Sequence, residues 1–193
     1  MIEVIVKQLD ARRDPGGSTV WIEGVAIDVI DTDQIDDGDL QGLELAEKLF
    51  VTSHRWALQS ATSLTLECGG LSVATRMAQA PALVATKVSA ISGARRRLPH
   101  RRASDVFDLY RLVQEHDWDG GLSRALLDAP LGIGALVGAG LSATVVAQSE
   151  RTARLLRAGN AEMSSIGPLD LVDVIGRLAE FLSRDRTVEK YTS

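Results

Sequence analysis

The stretch LVATKVSAISGARRRLPHRRASDVFDLYRL, residues Leu83 to Leu112, decides how this chain is read. It opens on an apolar run broken by Lys87 and closes on Asp105 and Asp108, with Arg95, Arg96, Arg97, Arg101 and Arg102 between them around Pro99 and His100. Leu83, Lys87 and Ile91 recur at every fourth position, so a helix opening at Pro81 carries the lysine on its apolar stripe. An ammonium there either snorkels from the stripe's edge or is held by a partner. After the basic loop, Ser104 is placed to cap a second helix, and the helix dipole accounts for Asp105 in its first turn. It does not account for Asp108, one turn further along on the same side. The arginines have two readings. One is a solvated charge run; the other is a set of guanidinium forks for phosphate oxygens, beside carboxylates that hold a magnesium ion.

Working outward from this stretch, the residues before it are rich in strand signals. Leu64–Cys68 and Leu71–Thr75 flank Gly69 and Gly70, the strongest hairpin pattern in the chain. Ile2–Val6 reads as a short strand and residues 14–17, Asp-Pro-Gly-Gly, as a turn. TVWIE and VAIDVI, separated by Gly24, suggest a hairpin or a bulged strand. In the second run Asp28 shares a face with Ala26 and Ile30, where a carboxylate either points into water or binds a cation. Asp31, Asp33, Asp36, Asp37, Asp39 and Glu44 follow as an acidic, solvated loop. A short helix is expected over Leu40–Phe50, with Lys48 near its end.

Beyond Leu112 the pattern is helical. Helices are expected over Leu122–Leu127, Ile133–Leu156 and Leu169–Leu182, punctuated by Pro130, Gly159 and Pro168. Arg151, Arg154 and Arg157 form a basic ridge on the middle one, either a solvated face or a contact for RNA or a partner. The expected class is therefore α+β: a mixed sheet region over residues 1–113, then a C-terminal helical bundle over 114–193.

Composition sets wide bounds. The chain has 193 residues, 45% of them hydrophobic and 4% aromatic, so aliphatic side chains must fill its core. A formal net charge of −5 argues against wholesale coating of nucleic acid but allows a local basic site. The single cysteine, Cys68, permits no internal disulfide and suits a reducing cytoplasm. The opening MIEVIVKQLD lacks a signal-peptide profile. The uncharged run from Leu131 to Ala147 is short for a membrane span and rich in small residues, which suits a buried helix. His54, His100 and His116 have no ligand-like spacing.

LVATKVSAI, a basic loop and ASDVFDLYRL together resemble the end of the catalytic region in AbiEii-type nucleotidyltransferase toxins and their minimal nucleotidyltransferase relatives. In that family a lysine on a helix precedes an aspartate pair written D-x-x-D. VWIEGVAIDVIDTD resembles the family's later carboxylate strand, and ECGGLSVATRMAQAPALVATK its hairpin leading into the lysine helix. The likeness covers roughly residues 18–113. It implies that Lys87 contacts substrate phosphate, that Asp105 and Asp108 are the aspartate pair, and that Asp28 assists a metal site holding Mg2+. Arg95, Arg96, Arg97, Arg101 and Arg102 would contact substrate phosphate or RNA.

The implied activity is transfer of a nucleotide from a nucleoside triphosphate to RNA, tRNA included, or to a protein hydroxyl. The protein would be the toxin of a toxin–antitoxin pair, partnered by a cognate antitoxin. The alternative is a non-catalytic relative that binds nucleotide, RNA or a partner. Two departures stand out. The arginine frequent before the first aspartate is Ser104 here, with Arg101 and Arg102 nearby. The family's glycine-serine and D-x-D motif is expected to be missing, because only twenty-seven residues precede Asp28. Gly17 and Ser18 followed by Asp31 and Asp33 mimic its spacing over a β-rich stretch.

Overall fold

The structure is a computed structural model. It describes residues 12–13, 19–22, 25–28, 35–36, 38–93, 99–159 and 161–189. The chain forms two compact units, Met1–Asp39 and Leu40–Ser193. The expected turn at residues 14–17 and the expected strand Ile2–Val6 lie outside the described residues, as do Asp31, Asp33 and Asp37.

In the first unit β1 (Arg12–Arg13), β2 (Thr19–Ile22) and β3 (Val25–Asp28) form an antiparallel sheet in that order. β2 and β3 make the hairpin that Gly24 suggested, with Val20 opposite Ile27 and Thr19 opposite Asp28. The Arg12 guanidinium lies 5.8 Å from the centre of the Trp21 ring, within cation–π range.

The second unit starts at Leu40, within the 3-10 turn Asp39–Gly42, and continues into α1 (Leu45–Gln59). The expected short helix over Leu40–Phe50 is thus broken at Leu43–Glu44 and carried on to Gln59, which puts Lys48 near the start of α1. β4 (Thr62–Cys68) and β5 (Leu71–Met77) pair antiparallel across Gly69 and Gly70. Both glycines have left-handed φ, 57° and 81°, as a two-residue hairpin turn of this hand requires. Every residue of β5 is exposed, and Leu66, Leu71, Val73 and Met77 hold apolar side chains in solvent.

Helices follow: α2 (Ala80–Ser92), α3 (Pro99–His116), α4 (Gly121–Leu127), α5 (Ile133–Leu141), α6 (Ser149–Arg157), α7 (Ala161–Ser164), α8 (Pro168–Leu171) and α9 (Arg177–Glu189). Pro81 occupies the first turn of α2, where its missing N–H leaves no bond unmade. α5 is the hub. Its Ile133, Val137 and Leu141 are fully buried, and it packs against α1, α2, α4 and α9. Close approach depends on absent side chains: a Cβ on Gly134 would lie 2.5 Å from the Leu126 carbonyl oxygen, and one on Gly140 2.8 Å from Val88 Cγ1. Two π-helical turns, Ser142–Val146 after α5 and Val172–Gly176 before α9, lie against one another and bury Val145 and Ile175.

The class is α+β, with these corrections to its expected layout. Among the described residues both sheets are antiparallel and separate, where one mixed sheet was expected. Among the described residues before Pro81, where strand signals are rich, α1 takes fifteen. The expected domain boundary at 113/114 falls inside α3, whose Val106, Leu109 and Val113 join Val88, Leu126, Val137 and Leu156 in one core. The expected helix over Ile133–Leu156 is interrupted at Ala147–Gln148. α3 opens at Pro99, so Arg101 and Arg102 are helical and Ser104 and Asp105 lie in the helix interior, not at a cap. Pro99 sits at the start of the helix, where proline is favoured.

The uncharged run from Leu131 forms α5 and its π turn and buries Ile133, Val137, Leu141 and Val145, while Leu131 itself is 48% exposed. No single described helix is long and apolar enough to cross a membrane; Gly121–Leu127 and Pro130–Val146 qualify only as a pair bent by 101°.

Candidate functional site: a lysine between two aspartates

α2 packs along α3, and its Val84, Ala85, Val88 and Ile91 are buried. The four-residue stripe that carries these contacts brings Lys87 to the seam. On α3, Asp105 and Asp108 lie one turn apart and face the same seam. The Lys87 ammonium donates to Asp105 Oδ1 at 3.1 Å and to Asp108 Oδ2 at 2.6 Å. These are the three residues singled out from the sequence, separated by 18 and 21 positions and joined in space.

Their environments differ. The Asp105 side chain is 11% exposed, Lys87 29% and Asp108 48%. Burial pushes the Lys87 pKa down, but the hydrogen bonds to Asp108 and Asp105 outweigh it and hold it above the ordinary lysine value. Lys87 is therefore an ammonium at neutral pH. It keeps a third N–H, and Asp108, whose side chain is 48% exposed, keeps a second oxygen, so the cluster has one donor and one acceptor to offer a ligand. With one positive and two negative charges its formal sum is −1.

A magnesium ion needs several oxygen ligands in near-octahedral geometry. The described residues contain no group of three or more His, Cys, Asp or Glu placed to hold a metal ion. Both aspartates are also engaged by an ammonium. The cluster alone therefore does not fit a magnesium site. Asp28, expected to assist such a site, lies on β3 in the other compact unit, its backbone opposite Thr19.

The five arginines separate. Arg95, Arg96 and Arg97 lie outside the described residues. Arg101 is exposed on α3. Arg102 is half-buried and lines a cleft of about 390 Å³ between α3 and α6, together with Pro99, Arg151, Arg154 and Leu155. Burial first, and the charge of Arg151 second, lower the Arg102 pKa from its ordinary value. The meeting of Arg102 with Arg151 and Arg154 was not legible in the sequence beyond the three-residue spacing of the α6 arginines.

The chain matches no protein-family model, no curated protein and no solved structure.

Proposed function

We propose that this protein is nucleotidyltransferase-like. In this reading it moves a nucleotide from a nucleoside triphosphate to the hydroxyl of an RNA, such as tRNA, or of a protein, as the toxin of a toxin–antitoxin pair in the cytoplasm. The observation that carries the reading is the Lys87–Asp105–Asp108 cluster, assembled across two helices at the positions the family likeness picks out.

The third N–H of Lys87 donates to a phosphate oxygen of the substrate, and the free oxygen of Asp108 accepts the proton of the attacking hydroxyl. The new bond joins that hydroxyl oxygen to the α-phosphorus, and pyrophosphate leaves. Asp105, nearly buried, holds the ammonium in place. Positioning and charge neutralisation dominate such transfers, and bound Mg2+ ordinarily supplies part of the latter.

A second reading has its own support: Lys87 is already paired with both aspartates, which suits a relative that binds nucleotide, RNA or a cognate antitoxin without catalysis. Incubation of the full chain with labelled nucleoside triphosphates, total tRNA and Mg2+ separates the two. Label transfer that Asp108→Asn abolishes without altering the thermal unfolding midpoint supports the enzyme. Transfer unchanged in that variant sinks the proposed roles, and nucleotide or RNA binding without transfer supports the second reading.

A further inference from the structure

α6 lies against α3, and their contact leaves the cleft lined by Arg102, Arg151 and Arg154. Arg151 and Arg154 are one turn apart, about 4.5 Å along the helix axis, and Arg102 faces them from α3. Among the described residues no carboxylate pairs with any of the three, whereas Arg177 and Arg184 each hold one and Arg111 holds two. Burial of Arg102 and the neighbouring charge of Arg151 both work against the Arg102 guanidinium, so an anion seated in the cleft relieves a cost that the folded chain otherwise carries. Three guanidiniums lining one cleft match the oxygens of a phosphate better than a single carboxylate does. The rest of the lining is Pro99, Leu155 and Ala158, which are apolar, and Thr152. Roughly 390 Å³ lies within the range of small-ligand sites and admits a charged group together with an uncharged flat one.

We infer that the α3–α6 cleft binds a nucleotide unit, its phosphate on Arg102, Arg151 and Arg154 and its ribose or base on Pro99, Leu155 and Ala158. Two sources share this chemistry, a free nucleoside diphosphate and a nucleotide within an RNA strand. Arg101 and Arg157 are exposed on the same two helices and extend the basic surface for a strand. The inference needs no chemistry at Lys87 and stands or falls separately from the proposed transfer.

The test is binding of ADP by calorimetry and of a labelled short oligouridylate by fluorescence anisotropy, using the full chain at low salt. Arg151→Ala and Arg154→Ala, both exposed positions, should each weaken binding about tenfold. The salt slope of oligonucleotide binding should fall by about 0.7 for each arginine removed. Arg177→Ala, which removes an exposed arginine of α9, should change neither. ADP binding that follows this pattern assigns the cleft to free nucleotide; oligonucleotide binding alone assigns it to a strand. The inference is overturned if neither probe binds at millimolar concentration, if the two variants bind like the unaltered chain, or if a glutamate-rich peptide competes as well as ADP. Binding that Asp108→Asn abolishes and the arginine variants spare would place the ligand at the lysine cluster instead.

Discussion

Lys87 reaches two carboxylates of unequal exposure, so the two should weigh unequally in stability. Asp105 is 11% exposed, so Asp105→Asn leaves a half-buried ammonium short of a charged acceptor and should cost about 1–3 kcal/mol in urea unfolding. Asp108 is largely hydrated, and Asp108→Asn should cost less than about 1 kcal/mol. Equal losses would show that exposure does not rank the pair. The raised Lys87 pKa has a second consequence. A folded-state value above the unfolded one adds stability that is complete below the unfolded lysine pKa and lost as pH climbs through the folded value. The unfolding midpoint should therefore drop more steeply above about pH 10.4 in the unaltered chain than in Lys87→Met. Parallel alkaline curves would contradict the pairing.

At the scale of elements, α5 is placed by what its glycines lack. Gly134→Ala drives a methyl against the backbone of Leu126, which cannot swing aside, and should cost about 1–3 kcal/mol. A Cβ on Gly176 would find Val172 Cγ1 at 3.5 Å, an ordinary contact, so Gly176→Ala should be neutral or stabilise by up to about 1 kcal/mol. Thermal unfolding of both variants side by side checks the contrast. Some elements were legible beforehand because their cause is local. Gly69-Gly70 dictates the β4–β5 turn, and the Leu83–Lys87–Ile91 spacing puts the lysine on the α2 seam. Others were not. The start of α3 was hidden because Pro99, among arginines and a histidine, looks like loop while also suiting a first helical turn. The π turns at Ser142–Val146 and Val172–Gly176 add backbone that no side-chain period announces; they are stabilised by packing against each other.

For the whole molecule, the α2–α9 helices share a core that includes Leu49 of α1 and belongs to the unit beginning at Leu40. Residues 40–193 expressed alone should then unfold cooperatively, with a strongly helical circular dichroism spectrum. A broad, non-cooperative transition would mean that the first unit is needed for that core. Of the candidate site, the lysine and aspartates were readable because each lies on a periodic face. The α3–α6 cleft was not, because a helix shows its own stripe of arginines but not which neighbour it will face.

The solvent-exposed ribbon β4–β5 bears on time rather than structure. Its apolar Leu71, 74% exposed, and Val73, 57% exposed, contribute little burial, and a two-stranded ribbon alone is marginal in water. Its cross-strand amides should open and exchange with deuterium well before those of α2, the helix directly after it, where Val84, Ala85 and Val88 are sealed. Over the minutes of such a measurement the protein would be a firm helical body bearing a fast-breathing hairpin. Equal protection in β4–β5 and α2 would show that the ribbon is held by more than its own hydrogen bonds.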